Sequence, residues 1–225
     1  MTKKIIAVDL DGTLLNSESK LSDFTKETIK KISEKGHHVI ITTGRPYRMA
    51  KDFYRELELH TPMINFNGSF THLPGQAWEH ERCLTLDKKY LLDMVKHKED
   101  IQADFIAGEY RKKFYITAPN EEIADPKLFG VENFQPENQF KPERVTKNPN
   151  CILLQTRVED KYALADEMNR FYQHQLAINT WGGPLNILEC TPKGVNKAFA
   201  LEYLLNVMNR DKKDLIAFGD EHNDT

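Results

Sequence analysis

The chain has 225 residues, 40% of them hydrophobic and 29% charged, with a formal net charge of −3. This length suits one large or two modest domains, and the near-neutral balance excludes a broad basic field for nucleic acid or membrane lipid. Cys83, Cys151 and Cys190 lie far apart with no CxxC, so neither zinc nor a disulfide framework is expected, and a reducing, cytoplasmic setting is. Met-Thr-Lys-Lys followed by a short strand reads as no signal peptide, and no apolar run has the length of a membrane span.

Residues 4–8, Lys-Ile-Ile-Ala-Val, read as a buried strand of a parallel sheet, and Asp9-Leu10-Asp11-Gly12-Thr13-Leu14 follows directly. Gly12 reads as the turn that ends it. Ligands of open α/β sheets bind beyond the carboxyl ends of the strands, and side chains two apart share a side. Asp9 and Asp11 are therefore expected to face one space. At ~4 Å and an effective dielectric of ~20 two carboxylates repel by roughly 4 kcal/mol, so a cation or a shared proton is expected beside them.

Ser22 caps a predicted helix that runs to about Lys35, where Gly36 stops it, with Phe24, Ile29 and Ile32 on its apolar side. Val39-Ile40-Ile41 is a second buried strand ending in Thr42, Thr43 and Gly44, and Pro46 suits the first turn of a helix to about Leu57. Strand, helix, strand, helix is the pattern of a parallel sheet. A hydroxyl and backbone N–H groups at Thr43 and Gly44 are placed to hold a phosphate oxygen. Arg45 is either a substrate contact or a solvated cap. Residues 63–66 form a third short strand ending at the turn pair Asn67-Gly68.

From about Leu84 the texture changes. A helix over 87–97 precedes strands at 103–107 and 113–117 joined as a hairpin, then a short helix near 121–129 and a proline-bearing connection. A strand at 151–156, a helix over 159–172 with Tyr162, Ala165, Met168 and Phe171 inward, and a hairpin of 176–181 with 186–190 follow. This reads as an α+β domain with an antiparallel sheet over residues 84–187, inserted into a discontinuous α/β core of residues 1–83 and 188–225. Trp181, Tyr110 and Tyr115 read either as liners of a substrate pocket or, more simply, as filling for the inserted domain's own core or sheet. The core then resumes with a helix from about Lys197 to Met208 and a last strand, Leu215–Phe218, running into Gly219-Asp220-Glu221-His222-Asn223-Asp224-Thr225.

These segments resemble the four motifs of the haloacid dehalogenase superfamily of phosphohydrolases: DxDGT at Asp9–Thr13, a hydroxyl at a strand end, a lysine, and GDxxND at Gly219–Asp224. The cap-sized insertion between the second and third motifs places the resemblance closest to the cap-bearing type IIB, Cof-like branch. It implies a Rossmann-like parallel-sheet core, Asp9 as nucleophile and Asp11 as general acid/base. It also implies phosphate binding by Thr43, with Thr42 second, by Gly44, Asn223 and Lys197, with Lys193 as rival. Mg²⁺ would be held by Asp9, Asp11 through its carbonyl, and Asp220, with Asp224 in support, while His222 is expected to be a solvated loop residue. Members usually continue with several more strands and helices after GDxxND, so the C-terminal part of the core reads as missing beyond Thr225.

The activity implied is Mg²⁺-dependent hydrolysis of a small phosphorylated metabolite, sugar phosphate-like, through an aspartyl-phosphate, by a monomer or homodimer. The alternatives are a phosphomutase using the same aspartate and a non-catalytic sensor of phosphometabolites.

Overall fold

The computed structural model describes residues 3–220. It divides into two compact units, one formed by Met1–Cys83 with Val195–Thr225 and the other by Leu84–Gly194.

The first unit opens with β1 (Ile5–Val8), α1 (Asp23–Glu34), β2 (His38–Ile41), α2 (Tyr47–Glu56) and the three short strands β3 (Met63–Asn65), β4 (Phe70–His72) and β5 (Arg82–Cys83). The Ser22 hydroxyl accepts the Thr25 N–H at 3.0 Å and so starts α1 as its side chain suggests. Of the apolar positions expected inward on α1, Ile29 is buried, but Phe24 is 79% exposed. The strands β3, β4 and β5 make an antiparallel sheet, tied to β2 by a parallel bridge between Thr42 and Ile64.

The second unit comprises α3 (Lys88–Lys96), β6 (Ala103–Glu109), β7 (Phe114–Ile116), β8 (Cys151–Thr156), α4 (Lys161–Phe171), β9 (Leu176–Thr180) and β10 (Ile187–Pro192). Its antiparallel sheet has the order β7-β6-β8-β10-β9. The sequence reading returned the chain to the core at residue 188. β10 instead stays paired with β8 through Cys190 and with β9 through Pro192, so this unit runs on to Gly194. Tyr110 and Tyr115 are buried in its core. Residues 121–124 form turns rather than a helix, and a 3₁₀ turn follows at Pro126–Phe129.

Two residues expected inward on α4, Tyr162 and Phe171, are 63% and 68% exposed. The buried stripe is Lys161, Leu164, Ala165 and Met168. Lys161 goes inward because its ammonium donates to the carbonyls of Trp181, Gly183 and Leu185 at 2.8, 3.0 and 2.9 Å. Three carbonyls replace water around the charge, which makes its burial tolerable.

Back in the first unit, α5 (Lys197–Val207) is followed by β11 (Leu215–Phe218). β1 lies between β11 and β2 and is parallel to both, with Val8 opposite Phe218 and Ile41. One face of β1, through Ile5 and Ala7, packs with Ile40, Ile64 and the α5 residues Ala200, Leu201, Leu204 and Leu205. The other face, through Ile6 and Val8, packs with Val39, Ile41, Ile29 and Tyr54. Burial on both faces is why β1 and β2 are continuous apolar runs, whereas Ile216 and Phe218 of β11 are exposed.

Candidate active site

The carboxyl ends of β1, β2 and β11 lie side by side, so whatever follows each strand is delivered to one place. The Asp9 N–H donates to the Phe218 carbonyl at 3.0 Å and the Thr42 N–H to the Val8 carbonyl at 2.9 Å. After Asp9 the chain coils through Leu10–Leu14, with Leu14 and Leu15 N–H groups returning to the carbonyls of Asp9 and Leu10 at 3.3 and 2.8 Å. Gly12 makes this coil possible. Its φ is +69°, and a Cβ there would lie 2.0 Å from the Asp220 carboxylate. The missing side chain therefore lets Asp220 close on the loop, where the Thr13 hydroxyl also reaches it at 3.5 Å.

Lys197, at the first turn of α5, is 4% exposed and its ammonium lies 3.1 Å from Asp9, itself 7% exposed. A cation at a helix N-terminus opposes the helix dipole, so its place there needs an anion, and Asp9 is one. The Asn196 side chain caps α5 by accepting the Phe199 N–H at 2.8 Å. Gly68 fixes where α5 begins: with φ +106°, a Cβ there would stand 2.2 Å from the Asn196 carbonyl. The Asn67-Gly68 pair thus does more than turn the chain, since it seats the helix that carries Lys197. The rival Lys193 is exposed and lies in the second unit.

The two threonines separate by face. Thr42 is buried and lines a cavity of about 250 Å³ with Asp9 and Lys197. Its hydroxyl has no hydrogen-bond partner among the described residues. Thr43 is buried as well, and its hydroxyl accepts the Arg45 N–H at 3.1 Å. The Asn67 amide lies 3.1 Å from where a side chain on Gly44 would begin. Arg45 is no solvated cap: its guanidinium grips both oxygens of Asp11, at 2.8 and 2.6 Å. This fork-on-carboxylate pairing is the strong, oriented form of such a bond.

Asp9, Asp11, Thr42, Thr43, Gly44, Lys197 and Asp220 thus all belong to the first unit, at strand ends or the start of α5. Asn223, Asp224 and His222 lie outside the described residues. Among the described residues no three His, Cys, Asp or Glu side chains form a ready cluster for a metal ion. The donors at hand are instead all oxygen: two carboxylates, Asp9 and Asp220, and the carbonyls of the intervening loop. Such hard donors, few in number, fit Mg²⁺, which keeps several waters.

A sequence profile of the haloacid dehalogenase-like hydrolases matches residues 6–225. The chain is 31% identical over 225 residues to the 5-amino-6-(5-phospho-D-ribitylamino)uracil phosphatase YitU of Bacillus subtilis, covering 98% of this chain and 81% of the relative. A second phosphatase of that organism named for the same substrate, YcsE, is 26% identical over 221 residues, covering 98% and 78%. A crystal structure from Thermotoga maritima superposes with a TM-score of 0.79 at 24% identity, over 99% of this chain and 82% of that one. A haloacid dehalogenase subclass IIB sugar phosphatase does so with a TM-score of 0.76 at 18% identity, over 99% and 82%.

Proposed function

The chain belongs to the haloacid dehalogenase-like hydrolases and is a phosphatase of that family, and from this premise we propose that it removes phosphate from a small phosphorylated metabolite through an aspartyl-phosphate on Asp9. The observation that carries the reading is the buried pair of Asp9 and Lys197 beside the Asp11 loop and Asp220. One carboxylate is held by an ammonium and a second lies two residues on, which suits nucleophile and proton carrier.

Superfamily phosphotransferases generally use a divalent metal, usually Mg²⁺. Here Asp9, Asp220 and the Asp11 carbonyl would hold it. Bound there, the ion would neutralise charge on the phosphoryl oxygens.

In the first step an Asp9 carboxylate oxygen forms a bond to phosphorus and the bond to the leaving oxygen breaks, while Asp11 gives that oxygen its proton. In the second, Asp11 takes a proton from water, the water oxygen bonds to phosphorus, and the Asp9–phosphorus bond breaks. The Lys197 ammonium faces the negative charge carried through both steps, as preorganised electrostatic stabilisation requires. The orphaned hydroxyl of Thr42, the Thr43 hydroxyl, which accepts from Arg45 and keeps its own proton to donate, and the Gly44 N–H are the remaining donors for phosphoryl oxygens, and Asn223 and Asp224 complete the motif in sequence. The Leu84–Gly194 unit serves as the cap that excludes water and reads the non-phosphate part of the substrate.

Sugar phosphates and phosphorylated sugar alcohols, the latter suggested by the names of the two Bacillus relatives, are the first class to screen. The test is Mg²⁺-dependent phosphate release by the parent and by Asp9→Asn. The proposal expects release by the parent and none by the variant, and equal release by both would refute it.

A further inference from the structure

We infer that Asn65 and His72 are positioning residues for Asp11, acting through Arg45. The inference rests on the role proposed above for Asp11, but the geometry behind it is independent. His72 Nε2 lies 2.9 Å from Asn65 Oδ1, and Asn65 Nδ2 donates to the Arg45 carbonyl at 2.8 Å. Arg45 Nε and Nη2 then donate to Asp11 Oδ2 and Oδ1 at 2.8 and 2.6 Å. Four residues from three separate segments thus form one continuous line of hydrogen bonds.

The direction of each bond follows from chemistry. A carbonyl only accepts, so the amide of Asn65 must turn its nitrogen to Arg45 and its oxygen to His72. That oxygen can only accept, so His72 carries a proton on Nε2. The ring that supplies it is fixed on two sides, stacked on Phe70 with centroids 4.1 Å apart and edge-on to Tyr47 at 5.0 Å. Asn65 is fully buried and His72 nearly so. The bond between them is therefore hard to exchange for water.

Arg45 is correspondingly short of freedom. Its N–H is held by the Thr43 hydroxyl, its carbonyl by Asn65 and, at 3.5 Å, by the Phe66 N–H, and Pro46 follows with φ −63°. The backbone at Phe66 and Asn67 is itself left-handed, with φ +52° and +51°, a conformation that costs energy for a bulky residue such as Phe. That strain sits where the chain must bring both the Asn65 amide and the Gly68 turn into place.

Asp11 is the member in need of support. Its side chain is 56% exposed, against 21% for Arg45, so water competes for its oxygens. A proton carrier misplaced by about 1 Å can lose about a hundredfold in rate. A rigid guanidinium orients Asp11 only if its own backbone is rigid, and Asn65 with His72 provides that.

The test compares Asn65→Leu and His72→Phe with the parent on two substrates, an alkyl phosphate and p-nitrophenyl phosphate. The alkoxide is a poor leaving group that needs the proton of Asp11, whereas nitrophenolate departs without it. The ratio of kcat/KM is read, because it reports the step in which the leaving group departs. The inference expects kcat/KM for the alkyl phosphate to fall about tenfold in either variant while the aryl substrate stays within about twofold. An equal loss on both substrates, or no loss on either, would overturn it. A readout independent of activity is the Arg45 Nε–H resonance in NMR, expected to exchange slowly in the parent and rapidly in Asn65→Leu and His72→Phe. If the parent releases no phosphate, the hydrolase reading fails. In that case the NMR arm alone decides the inference, and unchanged exchange in both variants would overturn it.

Discussion

Replacing Lys197 with methionine keeps the reach of the side chain and removes its charge. In the folded protein that charge lies 3.1 Å from Asp9. At an effective dielectric of ~20 the pair attracts by about 5 kcal/mol. Much of this is offset by the cost of taking both ions from water, so the pair itself adds little to stability. Removing one partner is different, because the carboxylate stays buried after its cation has gone, and such a change costs about 3 kcal/mol. The chemical step loses more specifically: a single preorganised group facing transition-state charge is worth about 10²–10³ in rate. Lys197→Met is therefore expected to lower phosphate release at saturating Mg²⁺ by about that factor. It is also expected to lower the melting temperature by several degrees. Adding Asp9→Asn to it removes the stranded charge, so the double variant is expected to regain most of the melting temperature while remaining inactive. Steady-state phosphate release and thermal unfolding of the four proteins check this. A Lys197→Met variant within threefold of the parent, or a double variant less stable than the single one, would refute the reasoning.

Three further outcomes follow from other parts of the molecule. Gly12→Ala places a methyl group 2.0 Å from the Asp220 carboxylate at a φ of +69°, so the Mg²⁺ concentration needed for half-maximal activity is expected to rise at least tenfold; an unchanged Mg²⁺ titration would contradict this. Lys161→Met strands three carbonyls in the second unit, and a loss of about 2–4 kcal/mol in stability is expected with kcat nearly unchanged once folded; denaturant titration beside kcat measures both. Burial, with Glu189 nearby, pushes the Cys151 and Cys190 thiols up from 9.0, and burial pushes the Tyr110 hydroxyl up to about 12. Below pH 9.0 both folded and unfolded chains keep these thiol protons; above it the unfolded chain loses protons that the folded chain retains, so stability falls as pH rises. Melting temperatures from pH 8 upward report that fall, and native alkylation at pH 8 is expected to modify the exposed Cys83 and spare the two buried thiols.

Parallel strands announce themselves in sequence, and this is why the surroundings of Asp9, Thr43 and Asp220 were legible. Each follows a contiguous apolar run, and the run's end fixes where its polar residues go. Lys197 was legible through the family resemblance, since a lysine at the start of a helix, out of place without an anion, does not by itself single it out from Lys193. Arg45 was not, because its partner Asp11 is 34 positions away and no local pattern links them. His72 has no local signal, since the strand that holds it does not stand out, and Asn65 lies in the strand read at 63–66 but nothing nearby links it to Arg45, 20 positions away. β4 is three residues, too short for alternation to register, and Thr71 and His72 look polar although both are buried. The α4 stripe was displaced for one physical reason: a lysine reads as solvent-facing unless the carbonyls that will receive it are known. The late return to the core, at 194 instead of 187, follows from pairing of β10 with β9 through Pro192, whereas the expected boundary fell inside the second strand of that hairpin.

The claim on which the account depends is that phosphate passes through Asp9. The direct measurement is rapid acid quench during turnover of a phosphorylated substrate, followed by mass spectrometry of the peptide bearing residues 4–20. The account expects that peptide to gain one phosphoryl group, removable by hydroxylamine, in the parent and not in Asp9→Asn. Phosphate release by a parent enzyme whose Asp9 peptide never carries the phosphoryl group would contradict it.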